Sequence, residues 1–327
     1  MNLDRRLLGW GLLFIILGGV PLLARAGLLS DDLIGRWPTL WPLFLIAWGL
    51  GMILARTPLG WLGGAVFVVT LGLMGGGAIT TGFGGFSSFS GCGDGEGGTA
   101  FATQSGTLGA EGRVNIEFSC GDLAVTAADG SGWSVSGTDR DGRGPDVATS
   151  GDQVTIRSRE RDGFFNPLQG SSAWNVSLPR DPALSLGVTL NAGEGTLDLA
   201  GATLTSMNFT VNAGSLDIGL ATADQLASVN GTVNAGSAVV NLPGGDLSLN
   251  LSLNAGSIDV CLPAGAAARV QWSGALGSND LDEAGLDMVD DDTWQTPGFN
   301  AAQPHAALNV SANAGSFGLQ FGGTCGA

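Results

Sequence analysis

The densest collection of groups able to do chemistry lies near the C-terminus, where Leu276 to Pro304 gathers Asp280, Asp282, Glu283, Asp287, Asp290, Asp291 and Asp292. Carboxylate oxygens at such density are the ligand set of a hard cation, and Asp280, Asp282, Asp290, Asp291 and Asp292 are the candidates for calcium. The spacing is not that of an EF-hand, and no Gly-Gly-x-Gly-x-Asp repeat is present, so a solvated acidic loop is the simpler expectation and no metal is assigned. Asp198, Asp217 and Asp259 follow three turns of similar sequence and are expected to form an outward negative stripe that aids solubility.

Proton-transfer chemistry has little to draw on. The chain has no Lys, no Tyr and one His, His305, without a Cys or second His at ligand spacing. No Ser-His-Asp arrangement can be built around it, and an enzyme is not expected. Paired carboxylates acting on a glycan are the one catalytic alternative that the many Asp residues leave open. No catalytic residue and no cofactor are assigned.

Four cysteines, Cys92, Cys120, Cys261 and Cys325, all lie in the C-terminal three quarters of the chain. Their even number fits two disulfides in an oxidising compartment, with three pairings open.

The elements that would position these groups fall into two regimes. Residues 7–24, 37–55 and 58–79 are apolar runs without a charged residue, each near the ~20 residues that a helix needs to cross a bilayer. Because hydrocarbon cannot satisfy open backbone, they predict three transmembrane helices, an α-helical anchor over 1–82 in contact with the lipid bilayer. Arg5, Arg6 and Arg56 against Arg25 and Arg36, together with Trp10 and Trp61 at one interface and Trp37 and Trp41 at the other, place the N-terminus inside. Three crossings then put the remainder outside the cytoplasmic membrane. Reading residues 1–26 as a cleaved signal peptide leaves the same outcome. Residues 83–100 are a Gly/Ser-rich linker, with eight glycines between Gly82 and Gly98.

The formal charge of -16 divides unevenly: residues 1–82 hold five Arg and three Asp, which leaves eight Arg against 26 acidic residues, or -18, for the rest. Such a surface repels phosphate backbones, so nucleic acid is not an expected partner.

Residues 101–327 carry a repeat. Asn-Ala-Gly followed by Ser or Glu recurs at Asn191, Asn212, Asn234, Asn254 and Asn313, at intervals of 21, 22, 20 and 59 residues. The last interval is close to three periods, or one unit plus an insertion, the acidic stretch 276–304. Ser119-Cys120-Gly121-Asp122 reads as a degenerate earlier copy. Apolar residues alternate on both sides of each copy, as in Met207, Phe209, Val211 and then Leu216, Ile218, Leu220, which predicts strand, turn, strand. Asn tolerates left-handed backbone, and Gly193, Gly214, Gly236, Gly256 and Gly315 supply positive φ.

A unit of ~20 residues cannot bury its apolar face alone, so neighbours must stack into an all-β repeat domain of the β-solenoid type. In register, the asparagines would bond one another in a ladder. Arg113 to Phe118, Trp133 to Gly137, Val154 to Ser158 and Trp174 to Leu178 are strand-like and are expected to form the first, capping units.

Two resemblances follow from these stretches. Residues 7–55, with GLLFIILGGVPLL and LWPLFLIAWGLGMIL, resemble the transmembrane region of LiaF-like cell-envelope stress proteins, the Trp41-Pro42 pair above all. Residues 111–321, with LSLGVTLNAGEGTLDL, FTVNAGSLDI and LSLNAGSIDVCLP, resemble toast-rack and putative-adhesin (DUF4097-like) β domains. The resemblances imply a multi-pass, non-enzymatic envelope protein with an extracytoplasmic β domain, an interaction or accessory module in the response to wall-active antibiotics. A surface adhesin or a structural envelope protein is the alternative. The expected partner, besides lipid, is another membrane or cell-wall component.

Overall fold

The computed structural model describes residues 98–159, 172–301, 303–322 and 325. The three expected spans, the topology assigned to them, the linker up to residue 97 and Cys92 lie outside the described residues. Among the described residues no helix is long and apolar enough to cross a membrane, and every regular element is a strand.

The strands pair off into rungs, each bent at one corner. β3 (Glu111–Phe118) and β4 (Gly121–Ala128) form one rung, β9 (Ala183–Leu190) and β10 (Gly193–Asp198) the next. β11 (Leu204–Val211) with β12 (Gly214–Gly219), and β13 (Ser228–Val233) with β14 (Gly236–Asn241), follow. β15 (Leu247–Leu262), β16 (Ala268–Asn279) and β19 (Ala306–Phe321) run through the corner as single long strands. β7 (Gln153–Arg157) and β8 (Ser172–Pro179) supply the rung beyond β3 and β4.

One parallel sheet runs β7-β3-β9-β11-β13-β15-β19-β16. The other runs β8-β4-β10-β12-β14-β15 and continues through the second halves of β19 and β16.

Alternation explains the packing. In β9, Leu184, Leu186, Val188 and Leu190 are buried while their neighbours are not, and Leu249, Leu251 and Leu253 repeat the pattern in β15. The inward side chains of both sheets merge into one core from Phe101 to Leu319. Each fully buried leucine contributes about 1.5–3 kcal/mol that a lone rung, solvated on both sides, would lack.

The repeat occupies the corner. Gly121, Gly193, Gly214, Gly236, Gly256 and Gly315 all have positive φ, from 104° to 144°. A Cβ on Gly193, Gly214, Gly236, Gly256 or Gly315 would run into the carbonyl of the glycine one rung before it. Both the dihedral and the close approach therefore demand glycine. Gly121 pairs with Gly193 in register, so Ser119-Cys120-Gly121 is a true copy of the motif.

Two boundaries differ from expectation. The acidic insertion starts after Asn279, not at Leu276, because Leu276 and Gly277 pair with Ala314 and Gly315 and so occupy the corner of the last rung. The β domain starts before residue 101, since Thr99 and Ala100, β1 (Thr99–Ala100), pair with Asp139 and Thr138 of β5 (Gly132–Asp139).

Antiparallel strands cover the ends. β5 lies on β8, β2 (Gln104–Thr107) lies on β5, and β6 (Asp146–Ser150) lies on β7. At the far end β18 (Thr293–Gln295) covers Arg269–Gln271 of β16 and is backed by β17 (Asp287–Asp290). Aromatic rings fill the core near both ends: Trp174 meets Phe118 edge-on at 4.9 Å, and Trp272 stacks on Phe317 at 6.1 Å.

Cys261 and Cys325 form a disulfide with Cα atoms 5.7 Å apart. Cys120 is disulfide-bonded as well.

Candidate functional site

The expected asparagine ladder forms. Asn212 donates to Asn191 at 2.7 Å, Asn234 to Asn212 at 2.6 Å, Asn254 to Asn234 at 2.6 Å and Asn313 to Asn254 at 2.7 Å. Each amide in the row thereby satisfies its neighbour along an otherwise exposed corner. These five asparagines bond one another, and their glycines form the corners.

A second ladder, missed in the sequence, runs up the outer face of the first sheet. Asn230 donates to Asn208 at 3.0 Å, Asn250 to Asn230 at 3.0 Å and Asn309 to Asn250 at 3.2 Å. The signal was available: each of these asparagines precedes a corner asparagine by four residues, as in Asn208-Phe-Thr-Val-Asn212. Four residues is two strand periods, so both rows follow from one repeat. Gln271 stands next to Asn309 in the register and donates to Asp292 at 3.3 Å, so a carboxylate closes the row.

Hydroxyls flank the amides. Thr210, Thr232, Ser252, Ser311 and Ser273 occupy matching positions on successive rungs. With the amide row they line an open groove of about 620 Å³. Its amides and hydroxyls are neutral, although the chain around it is strongly acidic, and only Asp292 brings charge to one end. Asn230 and Asn250 each spend one N–H and one oxygen lone pair on their neighbours in the row, which leaves each a second of both. The arrangement can hold a neutral, hydrogen-bonding ligand at one contact per ~4.8 Å rung. It offers no nucleophile paired with a base.

The carboxylates take separate tasks. Asp280 accepts the Leu319 amide at 2.9 Å, Asp282 accepts the Trp294 indole at 3.2 Å, and Asp292 accepts the Thr293 hydroxyl at 2.9 Å. The Thr293 bond, helped by Gln271, holds the Asp292 carboxyl below its ordinary pKa. Asp290 pairs with Thr293 across the hairpin of β17 and β18, and Asp291 follows it at the turn. Among the described residues no group of three or more potential metal ligands comes together.

The outward stripe is broken. Asp217 and Asp259 share one row with Val239 between them, whereas Asp198 aligns with Gly219 in another. Asp259 and Asp280 converge over Gly318, where a side chain would collide with the Asp259 carboxylate. Burial, and then the charge of Asp280, push the Asp259 pKa up. This pair sits at the second sheet, away from the groove. His305 has its Nδ1 2.9 Å from the Gln303 carbonyl and its ring edge-on to Phe299 at 4.9 Å, a loop contact.

The described residues form an acidic, all-β stack of corner-bent rungs, a toast-rack-like architecture. Residues 106–243 match the family model described as the N-terminal domain of toast_rack, DUF2154. No curated protein matches the chain. Among solved structures, a "putative cell adhesion protein" from Clostridium sporogenes is similar at 11% identity and a TM-score of 0.45, over 67% of this chain and 99% of that one. A "putative adhesin" from Bacteroides fragilis is similar at 13% identity and a TM-score of 0.29, over 68% and 97%. A "putative lipid binding protein" from Parabacteroides distasonis is similar at 13% identity and a TM-score of 0.25, over 71% and 97%.

Proposed function

We propose that the chain is a non-enzymatic, membrane-anchored envelope protein whose β domain lies outside the cytoplasmic membrane and serves as an interaction module in the response to wall-active antibiotics. The supporting observation is the neutral amide and hydroxyl face that crosses five rungs of a domain otherwise dominated by acids. A surface of this kind selects extended, uncharged, hydrogen-bonding partners over phosphate-rich ones. The three apolar runs supply the anchor, and the toast-rack match supports the envelope setting.

The test is complementation of a deletion strain. Wild-type chain restores envelope-stress reporter output and tolerance to wall-active drugs, and the double variant Thr232→Arg/Ser252→Arg, which charges the groove without entering the core, does not. Equal restoration by both chains overturns the groove as the contact surface. Unchanged drug tolerance in the deletion strain, combined with lost surface attachment, replaces the stress role with adhesion.

A further inference from the structure

The two sheets end in four places, and strands cover three of them. β6 covers β7, β5 covers β8, and β18 covers the first half of β16. The second half of β16, Gly274–Asn279, pairs with β19 on one side and, among the described residues, with no strand on the other. Backbone groups of a parallel strand point alternately to its two sides, so this edge presents unpaired donors and acceptors.

An apolar side chain is there too. Among the described residues the exposed large hydrophobics are Leu276, at 85% of its full exposure, on this edge, and Met288 and Val289, at 56% and 49%, on the hairpin that covers the first half of β16. Leu276 stands at the corner position that alanine fills in the repeat, pairing with Ala314. The unpaired strand edge is the pairing template, and a strand added to it would cover the Leu276 side chain. Thr99 and Ala100 are remote from this edge, since they lie on β5 at the opposite end, and β5 is about eight strand spacings or ~38 Å from β16.

Charge selects the occupant. Asp280, Asp282, Glu283, Asp287, Asp290 and Asp291 belong to the same cap, and Arg269 is the only Lys or Arg between residues 264 and 305. A second copy would bring the same acids to the interface and be repelled. We infer that Gly274–Asn279 is a strand-addition site for an extended, basic segment of another protein. The backbone of that segment extends the sheet, its apolar residues cover Leu276, and its Arg or Lys side chains meet the acids.

The experiment uses the full chain in detergent and a short fluorescent peptide of alternating Arg and Val. The peptide binds, a version of equal composition and charge interrupted by proline binds at least about tenfold more weakly, and a version with Glu in place of Arg does not bind. Amide exchange slows at residues 274–279 on binding. Leu276→Lys weakens binding at least about tenfold without lowering the melting temperature of the free chain, and Asn279→Pro, whose N–H faces away from β19 because that of Asp280 bonds Phe317, independently weakens it as much. Equal binding of the proline-interrupted peptide overturns the proposal, because charge alone then suffices. So does protection outside 274–279, indifference to both variants, or self-association of the chain through this edge.

Discussion

Asn313 donates its side-chain amide to Asn254 at 2.7 Å although 59 residues separate them. The contact exists because β19 enters the stack between β15 and β16, which precede it in the chain. One row of amides thus spans a break in chain order, and it is strongest where each member both gives and accepts.

Asn234 is such a member, bonded on both sides at 2.6 Å. Asn234→Ala should cost about 1–3 kcal/mol, since it leaves two neighbouring amides short of a partner. Asn313→Ala, with one bond of this row, should cost less. Urea unfolding of the two variants measures the difference.

Gly236 has φ 128°, and a Cβ there would strike the Gly214 carbonyl. Gly130 has φ 99° with open space around it. Gly130→Ala should therefore cost about 1 kcal/mol, the dihedral alone, and Gly236→Ala above about 3 kcal/mol or failure to fold. Expression yield and melting temperature report the contrast.

The Cys261–Cys325 bond closes a loop of 64 residues that contains β16, the acidic insertion and β19. Restricting so long a loop in the unfolded chain stabilises the fold by up to about 4 kcal/mol. Cys261→Ala/Cys325→Ala should lower the denaturant midpoint accordingly, with the β19 region the first to gain amide exchange.

Asp259 is half-buried, and its pKa is raised above the ordinary 3.8, by burial first and by Asp280 second. The native state therefore holds a proton more tightly than the unfolded chain does. Its contribution to stability is present at acid pH and is lost as pH rises through the raised pKa. Asp259→Asn should be more stable than wild type at neutral pH and indistinguishable below about pH 3.8. Unfolding curves at several pH values give the sign directly.

The corner was readable because its demands are local: φ, a small side chain and an amide recur within each ~20-residue unit. Strands around Arg113, Trp133, Val154 and Trp174 were readable for the same reason, from alternation alone. The order of the rungs was not. That β7 and β8 lie outside β3, and that β19 lies inside β16, depends on pairings between distant segments that alternation does not encode. The acidic insertion was misplaced at its start because Ala275-Leu276-Gly277 fills the corner of the last rung without the asparagine that marks the others. The charge pattern does not reveal the groove: its polar groups are neutral, and Asn208, Asn230, Asn250 and Asn309 form a row only once register lines them up.

The placement of β19 also sets the order of construction. Until its residues arrive, β15 and β16 flank a vacancy one strand wide, and the buried faces of Leu251, Val260 and Trp272 have no neighbour on that side. A premature stop ahead of Ala306 would therefore take out a middle plank and not the last one. During vectorial synthesis the domain stays half open until its final segment slides home.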